Sequence, residues 1–346
     1  MPDIKDTPKN LGYRMPAEWE RHSSVWLSWP YDRESFPGEV LDKTEETYCE
    51  IISNLTDSEK VELLVTGEEM KDRAIVKLKA YNVDFNNVNI QVADYADVWF
   101  RDFGPSFIVN DKTKEMAMVN WDYNAYNRWP ELLKDDKISA WMNEKLGLPC
   151  FKPGIVLEGG AIEVNGKGTL LTTEQCALNE NRNKGMTKEK MEQIFSDYLG
   201  VANIIWLKKG LTNDHTDGHI DNIARFVNPT TIVYAWTDDE SSADYANLKE
   251  NLEILEKAKG QDGRSFNLIK MPLAPVKNVE GCNVSSLNFY IANKVVLVPV
   301  FGHNNDKVAL AIIGEAFPGR KVAGINCADL IYGGGTIHCA TREQPG

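Results

Sequence analysis

Apolar residues recur three and four positions apart in five stretches: Tyr48, Ile51, Ile52 and Leu55; Ile138, Trp141 and Met142; Met191, Ile194, Phe195, Tyr198 and Leu199; Tyr245, Leu248, Leu252 and Leu255; and a last one near 308–317. That spacing stacks side chains on one face of a helix, so it predicts five amphipathic helices whose stripes face a core. Short apolar runs at 61–65, 155–157, 204–207, 266–269 and 321–325 follow the helices and read as strands. Strand pairs are predicted at 106–109 with 116–120, 161–164 with 169–172, 223–227 with 231–235, and 287–291 with 295–298. They are joined by Asn110-Asp111, Asn165-Gly166, Asn228-Pro229 and Ala292-Asn293, mostly hairpin chemistry. A helix, strand and hairpin therefore return about every 60 residues.

The residues just ahead of each hairpin make the repeat informative. They are Asp97, Glu158, His219, Cys282 and Cys339, spaced by 61, 61, 63 and 57 residues. If the units are arranged radially, these five positions converge at one end of the axis. The fifth hairpin lacks a second strand after Cys339, and the run Ser23-Ser24-Val25-Trp26-Leu27-Ser28-Trp29-Pro30 offers one that would close a ring. The expectation is an α/β fold with a polar lead-in at 1–12 and one catalytic domain at 13–346.

Composition narrows the function. A chain of 346 residues that is 42% hydrophobic can bury a large core. No run approaches a membrane span, and the N-terminus lacks the basic and apolar regions of a signal peptide, so the expectation is a cytoplasmic protein without membrane contact. Six scattered cysteines without close pairs predict reduced thiols. A net charge of −13 argues against nucleic acid and favours a cationic small molecule.

Gly333-Gly334-Gly335-Thr336-Ile337-His338-Cys339 carries the sharpest chemical signal. The glycines permit a turn that presents a thiol, making Cys339 the candidate nucleophile. Thr336 to Cys339 reads as a short strand, on which His338 would point away from Cys339. In His219-Ile220-Asp221, the same alternation would put an imidazole and a carboxylate on one face. Glu158 precedes Gly159-Gly160, and Asp97 opens the dense run Asp97-Val98-Trp99-Phe100-Arg101-Asp102. A thiol, a histidine and three carboxylates suit a planar cation, because two carboxylates can grip opposite edges of a guanidinium.

Those four motifs, with Met15-Pro16-Ala17-Glu18-Trp19-Glu20, resemble the agmatine deiminase and bacterial-type peptidylarginine deiminase family over roughly 13–345. The resemblance implies the pentein fold, a five-bladed α/β propeller, with no metal and no organic cofactor. It implies Cys339 as nucleophile, His219 as acid and base, Asp97 and Asp221 as guanidinium carboxylates, and Glu158 as the carboxylate that positions the histidine. Trp99 would flank the pocket, with Gly335 at the substrate. The family often forms homodimers. Agmatine-specific members usually continue Asn-Ala with Trp-Gly-Gly, whereas Asn124-Ala125 here runs into Tyr126-Asn127-Arg128-Trp129. That departure leaves free arginine and peptidyl-arginine open beside agmatine.

Two further readings stand against the deiminase. The alternation His215, Asp217, His219, Asp221 offers metal ligands for a hydrolase, although Gly218 and Thr212-Asn213-Asp214 suggest a turn that breaks it. A pentein-like ring can also serve purely as a binding module. Cys282 receives no role beyond packing or pocket lining, and His303 is placed either at the pocket mouth or in a structural loop.

Overall fold

Each expected hairpin forms, and each gains a third strand parallel to its second. The computed structural model describes residues 6–275 and 283–346. Ser106–Asn110 pairs antiparallel with Met116–Val119, which runs parallel to Cys150–Phe151. The same order recurs in Glu163–Val164, Thr169–Thr173 and Asn203–Leu207. It recurs again in Ala224–Asn228, Thr231–Trp236 and Asn267–Pro272, and in Tyr290–Ile291, Val295–Val300 and Lys321–Asn326. The fifth sheet joins the chain ends: Arg342–Pro345 pairs antiparallel with His22–Ser28, Arg342 opposite Trp26, and His22–Ser28 runs parallel to Lys60–Val65.

Parallel neighbours need a long crossover, and a helix supplies it in each unit. The crossovers are Val40–Thr56, Ile138–Leu146, Lys188–Leu199, Tyr245–Lys257 and Asn305–Ala316. Lys188–Leu199 shows how sequence sets such an element. Thr187 caps its first turn by accepting from the Lys190 N–H, and Met191, Phe195 and Leu199 are its buried stripe. Gly200 ends it at φ +68°, where an added Cβ would lie 2.7 Å from the Tyr13 carbonyl oxygen.

Three local expectations need correction. Residues 155–157 form no strand, only a bridge between Val156 and Asp122. A helix at Glu68–Ala80 and a strand at Val88–Val92 extend the fifth sheet without having been expected. That helix buries only Ala74 and Leu78 and leaves Val76 exposed, so it shows almost no apolar stripe. The chemical motifs are also not strands. The chain enters four of the sheets through a single helical turn: Phe100–Phe103, Gly159–Ala161, Ile220–Asn222 and Ile337–Ala340. A polar, apolar, polar triplet fits either period, and burial of the middle residue inside a tight turn decides it.

Five sheets therefore share a three-strand core order among the described residues, two of them with a fourth strand at one edge, Tyr13–Arg14 beside Ser106–Asn110 and Val88–Val92 beside Lys60–Val65, and a small separate pair lies at Ala274–Pro275 and Asn283–Val284. Where the sheets meet, a buried ionic cluster gathers residues distant in sequence. Glu18 lies 3.3 Å from Arg101 and 3.1 Å from Arg225, Arg101 is 2.6 Å from Glu343, and Arg225 is 2.8 Å from Glu163. Buried charges persist only when paired and hydrogen-bonded, so this cluster ties the ends of several sheets together. Among the described residues no helix is long and apolar enough to cross a membrane.

Candidate active site

Cys339 lies in the helical turn Ile337–Ala340 and is 4% exposed. Of the three glycines before it, only Gly334 adopts a left-handed conformation, at φ +100°. Gly333 and Gly335 are set by space instead. A Cβ there would meet the Phe36 ring at 2.6 Å and the Trp99 ring at 2.8 Å. Asn288 fixes the turn from the neighbouring sheet. Its Oδ1 accepts from the Cys339 N–H at 3.2 Å and the Thr336 hydroxyl at 2.8 Å, its carbonyl accepts from the His338 N–H at 3.0 Å, and its Nδ2 donates to Sγ at 3.2 Å.

Carboxylates surround the thiol. Asp221 Oδ2 lies 3.6 Å from Sγ and 2.8 Å from His338 Nδ1, whose other ring nitrogen meets Glu18 Oε2 at 2.7 Å. Facing carboxylates on both sides, His338 is not free to act on Cys339. Strand alternation, from which its unsuitability was expected, does not apply in this helical turn. Asp102 receives the Gly160 N–H at 2.9 Å and the Tyr126 hydroxyl at 2.7 Å, and stands 3.7 Å from His219 Nδ1. Glu158 gives one oxygen to Arg182, which also pairs with Asp217. Gly160 permits the close approach of these groups, since a Cβ there would lie 2.5 Å from His219 Nδ1 and 3.1 Å from Asp221 Oδ2.

A cavity of about 530 Å³ opens onto Cys339. Asp97, Trp99, Asp102, Tyr126 and Gly335 line it, as do Tyr31, Trp129, Glu131 and Tyr332. Trp99 is at once pocket wall and core, packing on the glycine turn. His219, Glu158 and Asp221 are fully or almost fully buried close by.

Burial sets most of the electrostatics, because removing water disfavours the charged form of any group. It pushes the Cys339 thiol far above its ordinary range, with Asp221 and Asp102 adding to the effect and the Asn288 hydrogen bond opposing it. For His219, burial opposes the charge, yet Asp102, the Cys176 thiol and Glu158 outweigh it and hold the imidazolium well above the usual range. For Asp221, the pull of His338 overcomes burial and lowers the carboxyl. Burial, with Asp32 and Asp102, raises Asp97 to about 7, against one backbone hydrogen bond from Val98.

Two predictions follow from these arrangements. Asn288→Ala is expected to lower kcat about 100-fold by misplacing the nucleophile, and to move Cys339 alkylation to higher pH, because the hydrogen bond that favours the thiolate is gone. An unchanged kcat would remove Asn288 from the site. Asp97 should cost stability at neutral pH and above: its folded value exceeds that of the unfolded chain, so the folded state loses relative stability as pH rises from about 4 to 7. Asp97→Asn is expected to recover on the order of 2–4 kcal/mol at pH 8 and little at pH 3.5, read by denaturant unfolding at both pH values.

The structure brings Asp97, Trp99, Gly335 and Cys339 to one pocket, with Glu158, His219 and Asp221 buried beside it. It separates the alternating metal candidates. Asp217, at φ +61°, turns to Arg182 and Arg128, while Asp221 turns to His338. His303 caps the turn before Asn305–Ala316, its Nδ1 accepting the Asn305 N–H, and does not line the cavity. Cys282 lies outside the described residues. Sequence reasoning assigned nothing to Asn288, Asp102, Arg182, Cys176 or Glu18. Asp102 and Glu18 stood inside quoted motifs; Asn288 and Cys176 carried no local signal.

The profile of the Porphyromonas-type peptidyl-arginine deiminase family matches residues 14–345. A Legionella pneumophila (strain Paris) protein, provisionally named an agmatine deiminase, is 36% identical over 99% of this chain and 98% of its own. The structure of the agmatine deiminase of Enterococcus faecalis, described as catalyzing its reaction, superposes with a TM-score of 0.91 at 30% identity, covering 99% and 98% of the two chains. A cysteine-to-serine variant of the C. jejuni agmatine deiminase with substrate bound gives 0.86 at 26% identity, covering 96% of each.

Proposed function

Because the chain belongs to the Porphyromonas-type peptidyl-arginine deiminase family and shares its mixed α/β pentein fold, we propose that it hydrolyses the guanidinium of agmatine to N-carbamoylputrescine and ammonia. One observation carries the choice of substrate. The cavity ending at Cys339 is lined by Asp32, Glu34, Asp97, Asp102 and Glu131, and its basic side chains among the described residues are Lys134, which pairs with Asp94 at 2.8 Å, and His215. Agmatine is cationic at both ends, and this lining suits it. Free arginine would bring an α-carboxylate for which no arginine waits among the lining residues. The Tyr126 to Trp129 loop, which departs from the agmatine-specific pattern, is pinned at the site by Tyr126 to Asp102 and by Arg128 to Asp217.

In the proposed mechanism, Asp97 and Asp221 grip the guanidinium, and its charge drives the Cys339 proton out. Sγ attacks the guanidinium carbon. His219 protonates the departing nitrogen, ammonia leaves, and a thiouronium remains on Cys339. Water then gives a proton to His219 and attacks the same carbon. The C–S bond breaks with its electron pair returning to sulfur, the proton of the added hydroxyl passes to that sulfur and restores the thiol, and the ureido product is released. Glu158, locked by Arg182, positions the histidine, while Trp99 and Gly335 border the bound group. The five sheets of equal three-strand core order, with the ionic cluster at their meeting point, support a five-bladed propeller closed by His22–Ser28, and one catalytic domain over 13–346.

The test is ammonia release from agmatine, free arginine and a blocked arginine peptide, across pH 5–9 (a range of roughly two units either side of neutrality). Selective agmatine turnover is expected, with kcat/KM falling below about pH 7 as Asp97 takes up its proton. Preference for another guanidine reassigns the substrate, and no turnover of any rejects the deiminase.

A further inference from the structure

Behind the cavity lies a donor set that the proposed reaction uses only in part. Cys176 Sγ, a His219 ring nitrogen and a Glu158 carboxylate oxygen lie within 4.8 Å of one another. The three residues are at most 1% exposed. Arg182 takes Glu158 Oε1; among the described residues Oε2 has no hydrogen-bond partner and neither does either His219 ring nitrogen, Nδ1 standing 3.7 Å from Asp102. Buried polar atoms are normally satisfied, and leaving them unsatisfied costs free energy. Their convergence beside a thiol points to a ligand rather than to packing.

The frame is rigid. Thr173 Oγ1 accepts the Cys176 N–H at 3.2 Å and donates to the Gly218 carbonyl at 2.7 Å, so one hydroxyl ties the cysteine turn to the residue before His219. Two of the three ligands are thus placed by segments joined to each other, and Arg182 holds the third, Glu158.

We propose that Glu158, Cys176 and His219 form an inhibitory zinc site. A thiolate, an imidazole and a carboxylate make a borderline-soft set that suits Zn²⁺ and is poorly suited to Mg²⁺ or Ca²⁺. Three protein ligands leave a fourth tetrahedral position for water. Binding displaces the protons of Cys176 and of the His219 imidazolium, which offsets the two charges of Zn²⁺. The ion takes the His219 lone pair, and the enzyme stops. The metal site stands apart from the deiminase reading; only the inhibition depends on His219 acting as acid and base.

The experiment uses the full chain carrying Cys339→Ala, which removes the thiol that lines the pocket, with Co²⁺ as probe. A thiolate-to-cobalt charge-transfer band is expected, displaced by one equivalent of Zn²⁺ and absent when Cys176→Ser is added. Circular dichroism checks the fold of the double variant. If it fails to fold, Glu158→Gln in the Cys339→Ala background replaces it and is expected to weaken zinc binding at least about tenfold. No band in Cys339→Ala overturns the proposal, as does a band that survives in the folded double variant or an unchanged zinc affinity in Glu158→Gln. Inhibition of the wild-type chain by zinc, reversed by a chelator, is the accompanying activity readout, and failure of that arm alone would count against the role of His219 and leave the site intact.

Discussion

Cys339→Ala is expected to lower ammonia release from agmatine by at least about 10⁴-fold while the chain stays folded and still binds its substrate. The substitution removes one sulfur atom from a turn whose backbone is held independently by Asn288 and by the fit of Gly333 and Gly335 against Phe36 and Trp99. The carboxylates that grip the guanidinium remain, so calorimetric titration with agmatine should still show binding. Activity within tenfold of wild type would end the covalent mechanism. The wild-type thiol should also react slowly with an alkylating agent at neutral pH, because burial and the neighbouring Asp221 and Asp102 keep it protonated. Since the thiolate is the reactive form, that rate should climb with pH, and a thiol already ionised at pH 7 without substrate would contradict substrate-driven ionisation.

His219→Gln is the second large effect, with an expected fall in kcat of about 10³-fold and a much smaller change in KM. Gln cannot deliver a proton to the departing nitrogen or accept one from water, yet it fills a similar space beside Asp102 and Gly160. The sign of the pH dependence follows from the raised His219 value. Burial disfavours its charge, but Asp102, Cys176 and Glu158 prevail, so the imidazolium persists above the usual histidine range and is lost only as pH rises further. Wild-type kcat should therefore show an alkaline limb that is missing in His219→Gln. An identical alkaline limb in both enzymes would assign the general acid elsewhere.

Much of the scaffold was legible because periodic burial is a local property of the chain. The stripes at 48–55, 191–199 and 245–255 became helices, four hairpins formed where turn residues separated apolar runs, and the strand at His22–Ser28 met the C-terminal strand. The misses were equally physical. Glu68–Ala80 hides too little apolar surface to show a stripe, and Ile220–Asn222 and Ile337–Ala340 are too short for a helix and a strand to differ in pattern.

The spacing of Asp97, Glu158, His219 and Cys339 at equal points of the repeat was determined by the sequence alone, as was the need for small residues before the thiol. Tertiary structure decided which group faces which. Asn288 became the clamp on the nucleophile, Asp102 the carboxylate nearest the histidine, and Glu18 the far partner of His338 across 320 residues. The reason is that a repeat in sequence encodes where a side chain sits on its own element. Its charge and hydrogen-bond partners come from other elements, and they are settled only when several sheet ends pack together and every buried polar atom must find, or be denied, a neighbour.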